Sequence, residues 1–306
     1  MWPVAAGDVT ESWRNGASAV SAQASTAFPV GAALAVVFAG VLHATWNAMA
    51  KGTDDRHASF ALFGGTYAVC GAFAVTLAPA MAVAVWPFAA ASALLHVVYS
   101  WLLARSYRLG DFNQVYPLAR GTAPMLVALI ATTAFGDAMT AGQLAGVAII
   151  CAALGVLAFS GRDTGPSGPA VRAALLTGVS IAAYTIVDGL GVRSSGSSMA
   201  YAGWIFLGMG PLIVGWAVAA RGAALLPALR AHWRVGVGGG VIGVIGYAVV
   251  LWAQTAGALA VVAALRETGV VTGALIGVLA FREPLGRTRI AAAVAVAAGA
   301  ALINLR

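Results

Sequence analysis

The chain has 306 residues, 61% of them hydrophobic and only 9% charged, with a mean hydropathy of +0.90. A water-soluble domain carries about 25% charged residues, so these side chains cannot cover a soluble globule, and the solvent they fit is lipid. The net charge of +7 sits on residues placed between apolar runs, where it reports membrane topology rather than a nucleic-acid surface.

Residues 1–28 are small and polar and read as a mobile N-terminal tail. Ala22-Gln23-Ala24 imitates a signal-cleavage site, but neither a basic leader nor an apolar stretch precedes it. Ten apolar runs follow, near 29–50, 58–79, 87–106, 113–135, 141–160, 170–191, 199–219, 235–255, 258–281 and 288–304. Each is long enough to cross about 30 Å of hydrocarbon as a helix. The mid-chain stretch 161–169, GRDTGPSGP, is the linker between a first unit, 29–160, and a second, 170–306. Cys70 and Cys151 fall inside apolar runs, so neither a disulfide framework nor a zinc site is expected.

The two units resemble each other. Residues 119–137 align with 265–283 without a gap, at a constant shift of 146 positions. That shift matches Arg120 with Arg266, Thr122 with Thr268, Ala134-Phe135 with Ala280-Phe281, and Asp137 with Glu283. Apolar identities mean little in so biased a composition, but a matched intramembrane arginine and a matched terminal acid point to duplication. Five spans per unit is an odd number, so the second unit enters the membrane from the opposite side. The fold class expected is all-α, with ten transmembrane helices in two inverted five-helix repeats around a central cavity.

Lys51, Arg56, Arg105, Arg108, Arg162, Arg172, Arg221, Arg230, Arg234, Arg282, Arg287 and Arg289 fall at one set of span ends; Arg14, Arg193 and Arg306 fall at the other. The excess of basic residues in cytoplasmic loops puts the first set inside and both termini outside.

Polar groups at membrane depth are costly unless paired or wetted, so they mark a cavity. Arg120, Arg266, Asp188, Glu267 and His43 are the foremost. The arginines offer planar forks for a carboxylate; Asp188 or Glu267 would hold an amine or exchange a proton, and His43 could also carry one. Their alternative is internal ion pairing, for instance Arg120 with Asp188. His43 and Asn47 share one face of the first span at i, i+4, and Tyr184 and Asp188 form the corresponding pair in the sixth. His96, Tyr99 and Tyr116 are further candidates. Trp101, Tyr247, Trp252 and Gln254 divide between cavity and interfacial belt, while Asp137, Arg282 and Glu283 suit span ends. Pro117 and Pro124 flank Arg120 and are expected to interrupt the fourth helix. Glycines every four residues, at 269, 273 and 277 and in 236–243, are packing stripes.

Several segments resemble the EamA-type family of the drug/metabolite transporter (DMT) superfamily. They are 43–51, HATWNAMAK; 116–124, YPLARGTAP; 184–189, YTIVDG; 264–268, ALRET; and 279–286, LAFREPLG. The ordered set, with the span count and repeat, covers about residues 29–304. The resemblance implies a ten-helix carrier that exports amino acids or other small metabolites. It also implies cytoplasmic termini, against the charge distribution.

No phosphate loop, metal-ligand spacing or serine–histidine elbow is present in the sequence. The reading is a multi-pass inner-membrane secondary transporter, not an enzyme, without cofactor, metal or nucleic acid. Its partners are the bilayer, a small zwitterionic metabolite and a proton as candidate coupling ion, with monomer and dimer both open. An intramembrane enzyme acting on a lipid-linked substrate, or a non-transporting channel or regulatory subunit, are the alternatives.

Overall fold

The computed structural model describes residues 28–53, 55–110, 112–135, 139–159, 167–281 and 286–304. The tail, most of the 161–169 linker, Asp137, Arg282 and Glu283 lie outside the described residues. Among those described, all regular elements are helical. They are α1 (Val30–Lys51), α2 (Arg56–Leu77), α3 (Trp86–Leu109), α4 (Phe112–Ala134), α5 (Ala141–Phe159), α6 (Gly168–Ser194), α7 (Ser198–Arg221), α8 (Leu225–Gln254), α9 (Leu259–Arg266), α10 (Gly269–Phe281) and α11 (Arg287–Asn304).

Local chemistry sets the ends. Asp55, Ser167 and Ser197 cap α2, α6 and α7 by accepting the Ala58, Ala170 and Ala200 amides at 3.1, 3.4 and 3.2 Å. The α7–α8 turn passes through Gly222 at φ 54°, a left-handed conformation suited to glycine. Gly168 and Pro169, read as linker, already belong to α6.

Among the described residues, eight helical stretches are long and apolar enough to cross a bilayer. One of them, 198–254, is 57 residues long and contains both α7 and α8. α8 begins at Leu225, ten positions before the apolar run that marks it in the sequence, and carries Arg230, Trp233 and Arg234 on its added turns.

Two expectations about helix continuity are reversed. α4 runs unbroken through Pro117 and Pro124, whereas 258–281, expected as one helix, is split into α9 and α10 at Glu267-Thr268. Proline removes only the bond to the carbonyl four residues back, here those of Asn113 and Arg120, and its φ suits a helix. At the split, Glu267 and Thr268 donate three residues back, to Ala264 and Leu265 at 3.0 and 3.1 Å. The Thr268 hydroxyl also donates to Leu265 O at 2.7 Å, competing with the next helical turn. The split lies against α1: a Cβ on Gly40 would come within 2.8 Å of Arg266 O.

Helices from the two units interleave. α2 packs on α7, α5 on α11, α3 on α6 and α1 on α8, with α4 on α6 and α10 on α1. The α2–α7 contact is backbone to backbone: a Cβ on Gly210 would lie 2.5 Å from Gly64 O and 2.7 Å from Ala68 N. Rigid backbone cannot give way as a side chain can. Gly210→Ala is therefore expected to cost about 1–3 kcal/mol, read as a lowered melting temperature in detergent; an unchanged melt would refute this account of the contact. The glycines of α8 face Leu62, Phe63, Thr66 and Tyr67 of α2, as a packing stripe should, but Gly273 faces open space.

Two ties close the ends. Arg221 of α7 reaches the Asp55 carboxylate at the start of α2. Partial burial pushes that carboxyl up, but the Ala58 amide and the Arg221 charge outweigh it and hold it below its ordinary value. The tie is thus complete at neutral pH and is lost on acidification through that lowered value. At the other face, Arg193 donates to Gln254 O at 2.7 Å and to Gly257 O, fastening α6 to the α8–α9 turn.

Candidate functional site

Between the helices lies a cavity of about 50 Å³. Its polar wall is His43 from α1, His96 and Tyr99 from α3, Tyr184 from α6 and Tyr247 from α8. Its apolar side is Phe60, Phe63 and Tyr67 from α2 with Phe206, Met209 and Ile213 from α7. A smaller pocket of about 10 Å³ shares His43, Trp46, Gly243 and Tyr247 with it and is bordered by Arg266. Edge-on ring contacts run from Trp46 through Phe63 and Phe60 to Trp216, toward the Asp55–Arg221 tie.

Three buried charges meet at the α9–α10 split. Arg120 Nε lies 2.7 Å from Glu267 Oε2, and Arg266 Nε lies 3.9 Å from Glu267 Oε1. Both arginines are 2% exposed and Glu267 is fully buried. The Arg120–Glu267 contact is ionic without being aligned as a hydrogen bond. Arg120 also has Nη1 3.1 Å from His43 Nε2 and its guanidinium over the Tyr116 ring at 5.9 Å. A guanidinium only donates, and the Trp46 indole N–H, also a donor only, points at Nδ1 of the same ring at 3.3 Å, so the surroundings of His43 favour the neutral imidazole. Arg266 has no such company: its Nε and Nη2 are buried without a hydrogen-bond partner.

Asp188 is separate from this triad. Among the described residues it makes no ion pair with an arginine; its oxygens accept from Tyr201 at 3.1 Å and from Tyr247, with the Ser92 hydroxyl as a further donor. It is fully buried behind Tyr184 and Tyr247 and does not line the cavity. Asn47 is in the matching situation in the first unit, where its Oδ1 accepts from Tyr107 of α3 at 3.2 Å and its Nδ2 donates to His43 O at 2.8 Å. The shift from Asn47 to Asp188 is 141 positions and from Tyr107 to Tyr247 is 140. One first-helix polar group is thus held by one third-helix tyrosine in each unit.

His96 Nδ1 is 2.9 Å from the Ser92 carbonyl, which can only accept, so the proton is on Nδ1 and the Nε2 lone pair is open. Its ring stacks on Tyr184 at 4.1 Å and meets Tyr247 edge-on at 4.9 Å. Of the residues singled out in the sequence, His43, His96, Tyr99 and Tyr184 line the cavity and Arg266 borders its extension. Arg120, Asn47, Tyr116, Asp188 and Glu267 stand one layer behind. Trp101 and Trp252 are 44% and 47% exposed and do not line the cavity. Tyr107, Tyr201 and the α2 and α7 aromatics were not singled out; nothing but helical register marks them in the sequence.

Residues 169–305 match the EamA-like transporter family. The second unit is an EamA-like repeat. EamA-like proteins form part of the DMT superfamily. With its many long apolar helices the chain is a multi-pass membrane protein whose residues 169–305 are similar to transporters of that family. One crystal structure, described only as that of a protein, superposes with a TM-score of 0.70 over 90% of this chain and 98% of that one. At 18% identity that likeness establishes the fold alone. No curated protein matches the sequence.

Proposed function

We propose that this chain is a secondary active transporter of the inner membrane that exports or exchanges a small amino-acid-like zwitterion by alternating access. The observation that carries it is Arg266, a buried guanidinium at the edge of an aromatic-lined cavity whose Nε and Nη2 lack hydrogen-bond partners, Nε having only a long ionic contact to Glu267. A guanidinium left so incomplete at membrane depth is costly, and a substrate carboxylate supplies the missing acceptors. The lone pair of His96 is an acceptor for the ammonium, and the α2 and α7 aromatics accommodate an apolar side chain.

Ten spans follow when 198–254 counts as two crossings and the split α9–α10 as one. The inverted repeat is supported by the contacts: exchanging the first five spans for the last five turns α3 on α6 into α8 on α1, and leaves α2 on α7 and α5 on α11 unchanged. Rocking one unit against the other about those two self-matching contacts would expose the cavity to each face in turn.

Asp188 is the coupling group in this reading, because it is a carboxyl held only by hydroxyls and linked to the cavity wall through Tyr247. His43 is ill suited: a proton on Nε2 would set it against Arg120. Asp188→Asn is expected to abolish uptake driven by a pH gradient while sparing zwitterion exchange at equal pH. Gradient-driven uptake at the wild-type rate would remove Asp188 from coupling. The reading as a whole is tested by counterflow of labelled zwitterionic amino acids in proteoliposomes. Saturable counterflow is expected, and none for any zwitterion overturns it.

A further inference from the structure

We propose that Glu267 is a built-in carboxylate that fills one of two repeat-related anion positions, so that the cavity admits substrates with one carboxylate and rejects those with two. This rests on the transporter reading of the same site and adds the substrate's charge class to it.

The sequence repeat places the two arginines in matched frames, Arg120-Gly121-Thr122 and Arg266-Glu267-Thr268. Both guanidiniums are buried in the same centre, but only one frame carries an acid. The matched position, Gly121, has little room for any side chain: a Cβ there would lie 2.9 Å from Leu154 Cβ. The single glutamate does not serve its own neighbour. It crosses to the arginine of the other unit, 2.7 Å from Arg120 against 3.9 Å from Arg266. Arg120 is thereby neutralised and capped by His43, while Arg266 keeps unpartnered nitrogens.

Two guanidiniums and one carboxylate leave a single surplus positive charge in the triad. One incoming carboxylate at Arg266 cancels it; a second would have to share the centre with Glu267 at low dielectric, where like charges repel strongly. Glu267 at Arg120 therefore does what a substrate carboxylate does at Arg266. Removing its charge frees Arg120, which reaches the cavity wall through His43, and creates a second anion position. Discrimination then works through an intrinsic repulsive element as well as an attractive one.

The matched probes are 3-phenylpropanoate and benzylmalonate, which differ by one carboxylate, titrated calorimetrically into purified full-length protein in detergent. Wild-type protein is expected to bind the monocarboxylate about 10- to 100-fold more tightly. In Glu267→Gln that preference is expected to reverse, and adding Arg266→Gln is expected to cancel the gain for benzylmalonate. An unchanged preference in a Glu267→Gln protein with a normal melt overturns the proposal. So does wild-type protein that binds both acids equally well, a result that needs no variant. Counterflow of zwitterions decides the transporter reading separately: a charge preference that reverses in protein without counterflow keeps the filter and removes the carrier.

Discussion

Arg266→Gln is expected to lower affinity for a zwitterionic substrate by about two to three orders of magnitude while leaving the melting temperature unchanged or raised. The two effects have one cause. Arg266 is 2% exposed and its Nε and Nη2 lack hydrogen-bond partners, so the empty protein gains little from its charge and carries the cost of burying it. Bound substrate would supply a charge-assisted fork, and truncating one partner of a buried charged pair costs about 2–5 kcal/mol. Glutamine retains most of the volume, so the loss reflects charge and not packing. Calorimetric titration and thermal melting of the same sample measure both quantities. Undiminished affinity, or a melt that falls steeply, would show that Arg266 is a structural residue.

Arg120 should behave in the opposite way. Arg120→Met leaves Glu267 buried with only the longer, 3.9 Å contact to Arg266 for a counter-charge, and breaking a buried pair from one side costs about 3–5 kcal/mol. A melting temperature lower by roughly 10 °C is expected. The double variant Arg120→Met/Glu267→Met is expected to recover most of it, because replacing both members removes two desolvation costs together. A single variant that melts normally, or a double variant no better than the single, would contradict the pairing. Symmetry alone would have made Arg120 the equal of Arg266 in substrate binding; the 2.7 Å contact to Glu267 separates their roles.

Span positions were legible because apolar run length is a direct consequence of bilayer thickness; α1, α5, α7 and α11 begin and end within two residues of the runs that mark them. The split in 258–281 was not, since it lies where Gly40 and Gly269 of distant helices come together, and Thr268 is a residue type that unbroken helices also carry. The prolines of α4 announced a break, yet each removes a single hydrogen bond and the helix runs on through both. The i, i+4 pairs of α1 and α6 were legible only in part: His43 and Tyr184 line the cavity, while Asn47 and Asp188 do not. The partners were not: Arg120 with Glu267, and Asp188 with Tyr201 and Tyr247, are chosen by how helices from the two units interleave. Tyr107, not singled out in the sequence, donates to Asn47.

Alternating access is tested most directly by labelling a cavity residue from each side of the membrane. Ser100 lines the cavity, so Ser100→Cys, in protein whose Cys70 and Cys151 are replaced, can be treated with a membrane-impermeant thiol reagent applied inside or outside oriented vesicles. Modification from both faces is predicted, slowed from either by a transported zwitterion. Modification from one face only, whatever the substrate, would contradict a carrier that opens its centre to each side in turn.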